Sequence, residues 1–111
     1  MNTRLFKVQD LLHKEIAMLL HTSIQNPDIK SVTISGVRVS KDLKYSEVYF
    51  TTLKKDHKKI ESELNKASGY LRNQLSKKIH LKRLPALRFT YDSTMENSQK
   101  IEDLIKSFPK N

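Results

Sequence analysis

The chain has 111 residues, 37% of them hydrophobic and 30% charged, with a formal net charge of +9 and a pI near 9.8. That length suits one domain with one two-layer core, and residues 1–111 are read as such a unit. The absence of cysteine excludes disulfides, thiolate chemistry and Cys-ligated zinc, and no apolar run nears the roughly 18 residues that span a bilayer.

So positive a field attracts polyanions, which puts nucleic acid first among partner classes and an anionic membrane surface second. Asp10, His13, Lys14 and Glu15 interrupt the apolar positions of the N-terminal stretch, which therefore lacks the form of a signal peptide. A soluble cytoplasmic protein is expected.

The first predicted element is a helix from Thr3 to about Gln25. Leu5, Val8, Leu12, Ile16 and Leu19 form its apolar stripe, Leu11 and Leu20 widen it, and Thr3 is the expected N-cap. Asn26-Pro27-Asp28 is expected to stop it, because the residue before proline is pushed out of the α region. Ser31–Ser40 reads as a strand in which Val32 and Ile34 keep one phase and Val37 and Val39 the other. The one-residue slip at Ser35-Gly36 predicts a β-bulge that turns all four side chains to the core. Lys41–Lys44 is of hairpin length, and Tyr45–Leu53 is the return strand, with Ser46, Val48 and Phe50 on one face.

Lys54–Lys59 is a basic turn and helix start. Ile60, Leu64, Ala67, Leu71, Leu75 and Ile79 then recur at helical spacing over more than five turns. Ala67-Ser68-Gly69 interrupts that stretch. A mid-helix glycine costs about 0.5–1 kcal/mol relative to alanine, so a bend or a close backbone approach is expected there. Ala86–Tyr91 is a third strand. Asp92 or Ser93 caps a last helix, with Ser93 and Glu96 matching a capping box and Ile101, Leu104, Ile105 and Phe108 giving the apolar face. The expected order is α-β-β-α-(kink)-α-β-α, an α+β two-layer fold with helices on one face of a three-stranded sheet.

No catalytic constellation stands out. His13, His21, His57 and His80 include no pair at the spacing of a helical metal site. Glu61 and Glu63 are best explained as ion-pair partners of Lys58, Lys59 and Lys66, and Ser40 and Asp42 as turn residues. The two glycines lie far apart, so no glycine-rich phosphate loop exists. These features favour a binding protein over an enzyme, with no cofactor and no metal. The positive signal is charge segregation. From Lys54 to Arg88 there are eleven Lys and Arg against three acids, which accounts for +8 of the +9. A lysine-rich helix is most often only a solvated face, but here the charge is confined to the segment that also holds the kink. Tyr45, Tyr49 and Tyr70 offer rings for base stacking; packing at the kink for Tyr70 and a cross-strand contact for Tyr49 are the stronger expectations.

The chain resembles bacterial ribosome-binding factor A over nearly its whole length. The resemblance rests on Arg4, Val32-Thr33-Ile34, Val37, Val39-Ser40-x-Asp42-Leu43 and Val48-Tyr49, then Leu64-Asn65-Lys66-Ala67-Ser68-Gly69-Tyr70-Leu71-Arg72, then Arg83-Leu84-Pro85-x-Leu87-x-Phe89-x-Tyr91-Asp92. It implies a type II KH-like domain in which an Ala-x-Gly kink, here Ala67-Ser68-Gly69, replaces the usual Gly-x-x-Gly loop. It also implies a monomer that binds the immature 30S subunit and 16S rRNA, assists late 30S maturation and 16S rRNA 5′-end processing, and supports growth in the cold. Two departures are Asn26-Pro27-Asp28, where the family often has Asp-Pro-Arg, and Ser46, where alanine is common. The chain ends soon after the last predicted helix, so functions of a longer tail are not expected of it.

The candidate RNA-binding residues are Arg4, Lys66, Ala67, Ser68, Gly69, Arg72, Lys77, Lys78, Lys82, Arg83 and Arg88. The alternative reading is a general KH-type module for single-stranded RNA with no ribosome preference, which the missing second glycine disfavours. A membrane-adhering protein would need a lysine-rimmed exposed apolar helix face; only the first helix comes near, and its stripe is better explained as core.

Overall fold

In the computed structural model the described residues are 3–94, 103, 104 and 106. Helix α1 (Thr3–Thr22) and the short helix α2 (Pro27–Lys30) precede β1 (Thr33–Val39) and β2 (Tyr45–Thr51); α3 (His57–Lys66), α4 (Ser68–Lys78) and β3 (Ala86–Tyr91) follow. Strand β2 is central, antiparallel to β1 and parallel to β3. The helices cover one face of this mixed sheet, burying Val8, Leu12, Ile16, Leu19 and Leu20 of α1 and Ile60, Leu64, Leu71 and Leu75 of α3 and α4 against Val48, Phe50 and Phe89. The long apolar stripe of the sequence is therefore the floor of the helical layer.

Two elements differ from expectation. Helix α1 is already under way at Thr3, its expected cap, and ends at Thr22, before Gln25. There the Thr22 hydroxyl donates to the Met18 carbonyl (2.9 Å), competing with the backbone ladder. Asn26-Pro27-Asp28 starts a helix rather than stopping one. Asn26 is the N-cap, its side chain accepting the Asp28 amide at 2.9 Å, and Pro27 sits in the first turn, where its missing N–H costs nothing. The expected kink separates two helices, as the α-(kink)-α order requires. They part at Ala67, which caps the end of α3 and the start of α4, while Gly69 lies inside the first turn of α4 with no positive φ.

The bulge falls between Ile34 and Gly36, as the phase slip requires. Val32, Ile34 and Val39 are buried and Val37 packs half-buried on the core. In the hairpin, Ser40 donates to Asp42 (2.7 Å) and Asp42 accepts the Lys44 amide (3.1 Å), which bears out turn chemistry for that pair. Asp92, one of the two expected caps, accepts the Thr94 amide at 3.0 Å. Of the predicted last helix, Asp103, Leu104 and Lys106 are helical and Leu104 is exposed, whereas Glu96, Ile101, Ile105 and Phe108 lie outside the described residues.

Both sheet edges are closed by helix side chains. On β1, Gln9 accepts the Val39 amide (3.0 Å) and the His13 Nε2–H donates to the Ile34 carbonyl (3.0 Å). On β3, Asn65 takes both polar groups of Phe89, accepting its N–H at 2.8 Å and donating to its C=O at 3.0 Å. Glu61 accepts the Tyr91 amide at 2.8 Å. Glu61 and Glu63 were expected to pair with lysines; instead Glu61 holds β3 and Glu63 accepts from the Asn26 side chain at 3.1 Å. The backbone groups of an edge strand are strong, directed partners that a carboxylate or amide on the facing helix can satisfy.

Replacing Asn65 with alanine leaves two partly buried backbone groups without partners, each costing about 1–3 kcal/mol. Urea unfolding of Asn65→Ala should show a loss of about 2–4 kcal/mol with an unchanged denaturant slope.

Candidate nucleic-acid interface

The corner between α3 and α4 is built from the core outward. Leu64 and Leu71 are fully buried on either side of it, and Ala67 packs half-buried between them. A small side chain at Ala67 lets the two helices turn against each other without leaving the core. The Ser68 hydroxyl donates back to the Asn65 carbonyl (2.8 Å), and the Tyr70 hydroxyl reaches the Ser23 carbonyl at the end of α1 (3.4 Å). No side chain caps the N-terminus of α4. The positive end of a helix dipole favours an anion at such a start.

Gly69, Arg72, Asn73 and Ser76 recur at helical spacing on the solvent face of α4, and with Leu84 they line an open cavity of about 280 Å³. A Cβ built on Gly69 meets nothing within 4 Å. Neither backbone conformation nor internal packing explains this glycine; its effect is a bare strip of helix backbone open to an approaching partner. Asn73 and Ser76 are additions to the sequence-based set. Their signal was present as the small and polar side of α4, opposite Leu71 and Leu75.

The charges divide into free and committed. Lys66, Lys77, Lys78, Lys82 and Arg83 are exposed and make no ion pair with any described residue. Lys66 ends α3, Lys77 and Lys78 end α4, and Lys82 and Arg83 follow in the loop to β3, so these five border the corner and α4. Arg72 is committed: its Nε and Nη2 both donate to the Leu84 carbonyl, at 3.2 and 2.7 Å, tying the loop down to α4. Lys54 and Lys59 both bridge to Asp28, at 2.6 and 3.9 Å.

The remaining two candidates lie elsewhere. Arg4 is at the N-terminal end of α1, about 27 Å along that helix from its C-terminal end, where Tyr70 makes its contact. Arg88 is exposed between buried Leu87 and Phe89, so it points from the sheet face opposite the helices. Lys66, Ala67, Ser68, Gly69, Arg72, Lys77, Lys78, Lys82 and Arg83 thus lie along the corner, α4 and the loop that follows it, and Arg4 and Arg88 do not. Among the described residues no group of three or more His, Cys, Asp or Glu is placed to hold a metal ion, and no helix is long and apolar enough to cross a membrane.

A mixed three-stranded sheet under a helix pair with a tight corner defines a type II KH-like α+β domain. A sequence profile of the ribosome-binding factor A family matches residues 4–105. The ribosome-binding factor A of Vesicomyosocius okutanii is 40% identical over 102 residues, which cover 92% of this chain and 90% of that protein. The crystal structure of ribosome-binding factor A from Thermus thermophilus superimposes with a TM-score of 0.71 at 23% identity, covering 78% of this chain and 94% of that one. A homology model of the Thermus thermophilus factor, fitted into a cryo-electron microscopy map of its 30S complex, matches with a TM-score of 0.66 at 24% identity, covering 76% of this chain and 90% of that one. The chain belongs to the ribosome-binding factor A family.

Two outcomes follow from this geometry. Gly69→Ala should stabilise the fold by about 0.5–1 kcal/mol in thermal or urea unfolding, since the new methyl meets open space in a helical turn. Asp28 has its carboxyl held below the ordinary aspartate value, chiefly by the hydrogen bond from Lys54. A lowered folded-state pKa stabilises above the unfolded value of 3.8 and is lost as the pH falls through the lowered one. Asp28→Asn should therefore shrink the drop in melting temperature below about pH 3.8 and leave the slope near pH 7 unchanged.

Proposed function

We propose that this chain is a small-subunit assembly factor that binds the immature 30S particle through 16S rRNA. The observation that carries the reading is the bare Gly69 strip beside an uncapped helix N-terminus, bordered by five cations without ion-pair partners among the described residues. Family membership and the 30S complex of the Thermus thermophilus factor support the choice of RNA.

The mechanism is non-covalent. A phosphate seats at the first turn of α4, where backbone amides and the helix dipole favour negative charge. Lys66, Lys77, Lys78, Lys82 and Arg83 neutralise neighbouring phosphates and release their counterions. Arg72 acts mainly by fixing the loop that presents Lys82 and Arg83. The protein works as a single-domain cytoplasmic monomer without cofactor. By holding one rRNA conformation late in 30S maturation it assists 5′-end processing by other enzymes. Such a role matters most in the cold, where misfolded RNA rearranges slowly.

Co-sedimentation with 30S, 50S and 70S particles and with a short unstructured RNA, at two salt concentrations, tests this. Selective pelleting with 30S that weakens steeply with salt is expected. Replacing Lys77 and Lys78 together with glutamate should abolish pelleting at unchanged melting temperature, and Gly69→Ala should weaken it despite added stability. Equal binding to every RNA would replace the assembly role with that of a general RNA-binding module, and pelleting retained by the double variant would remove α4 from the interface.

A further inference from the structure

The second face of the sheet is a separate surface that the α4 reading does not use. Arg38, Glu47 and Arg88 stand in register across the three strands, and Gly36, Tyr49 and Thr90 form the next outward row. Tyr45 projects from the same side of β2, 66% exposed and about 13 Å from Tyr49 along the strand. The cross-strand partner expected to cover Tyr49 is a glycine on the β1 side, and a Cβ at Gly36 would meet nothing within 4 Å. Beside that ring opens a shallow cavity of about 330 Å³, lined by Ser35, Gly36, Arg38, Tyr49, Asp92 and Thr94.

We propose that this sheet face is a second RNA site, which takes single-stranded nucleotides with one base laid on Tyr49 in the Gly36 cavity and phosphates on Arg38 and Arg88. Charge complementarity supports the choice. Arg38 and Arg88 are exposed and make no ion pair with any described residue, because Glu47, which stands between them, accepts instead from the Thr90 hydroxyl. Asp92 is fixed by the Ser35 hydroxyl (2.7 Å), the Thr94 amide (3.0 Å) and the Thr94 hydroxyl, which together leave one lone pair of the carboxylate for the amino or imino N–H of a base. Aromatic rings on an open sheet accept any base by stacking, and an acceptor at the rim adds preference for bases rich in N–H donors. A protein partner fits less well. Strand addition is blocked at both edges by Gln9, His13, Asn65 and Glu61. The outward rows carry no large aliphatic side chain to anchor an interface core.

This site goes beyond the α4 anchoring and is tested apart from it. Single-stranded RNA pentanucleotides of uniform sequence are titrated into the isotope-labelled full chain, and amide shifts are followed. The amides of Gly36, Arg38, Tyr49 and Thr90 should move. Tyr49→Ala should weaken binding roughly ten-fold, and Tyr49→Phe should retain it. The exposed Tyr45→Ala, which leaves the core untouched, should lose affinity as well. In the Lys77→Glu, Lys78→Glu chain the sheet shifts should persist even where 30S pelleting is lost, which separates failure of one surface from failure of the other. Shifts confined to α4 and its loop, no shifts at all, or unchanged affinity in Tyr49→Ala and Tyr45→Ala would overturn the proposal.

Discussion

The pairing of the Asn65 side chain with both backbone groups of Phe89 is the contact on which the rest of the molecule turns. It comes one residue before the end of α3, so it fixes where that helix stops relative to the sheet. Glu61, one turn earlier, repeats the contact at Tyr91. Together they make α3 the missing neighbour of an edge strand, satisfying donors and an acceptor that would otherwise face solvent or another chain. With α3 set in this way, Ala67 has to turn the chain at one place, and α4 is laid with Leu71 and Leu75 inward and Gly69, Asn73 and Ser76 outward. The placement of the basic corner is thus a consequence of edge closure, not of the cations themselves.

Hydrophobic phase carried most of the architecture. Every buried position of α3 and α4 belonged to one stripe at helical spacing, and the Ser35-Gly36 slip located the bulge, because a period of two cannot absorb an odd insertion without one. Phase says little about where a helix breaks when both halves keep the same inward face. Small residues supply that mark: Ala67-Ser68-Gly69 announced the boundary between α3 and α4, which falls at its half-buried alanine, whereas the early end of α1 at Thr22 had no such mark. Helix α2 was missed because Asn-Pro-Asp reads equally as a stop or as a cap with proline in the first turn. Which one applies depends on Glu63, far along the chain, being there to take the Asn26 amide.

For the site, the sequence showed how much charge there is and in which segment, but not which charges are free. Lys54 and Lys59 belong to Asp28, Arg72 to the Leu84 carbonyl, and Arg88 to the other side of the sheet. Each allocation is a tertiary fact that spacing cannot carry. The glutamates show the same from the acidic side: a helix with lysines around Glu61 and Glu63 looks like a ladder of ion pairs, yet a backbone amide and a neighbouring side-chain amide claim the two carboxylates. A directed hydrogen bond in a partly buried place is worth more than an exposed ion pair, whose contribution is about 0–1 kcal/mol.

That preference explains how the cationic flank stays available. Had Glu61 and Glu63 turned outward, they would have neutralised lysines along α3 and lowered the local potential. Bound to Tyr91 and Asn26, they stabilise the fold while Lys66, Lys77, Lys78, Lys82 and Arg83 keep clear of ion pairs among the described residues. The penalty is mutual repulsion, small among exposed charges in salt, where the screening length is about 8–10 Å. The gain comes on meeting RNA, because a cation not already paired releases a counterion from the nucleic acid without first breaking a bond of its own. The same arrangement holds on the far face of the sheet, where Glu47 bonds to Thr90 and leaves Arg38 and Arg88 open on either side. On both faces these glutamates are held by hydrogen bonds, and the net charge of +9 is presented outward as a surface made to be neutralised by something else.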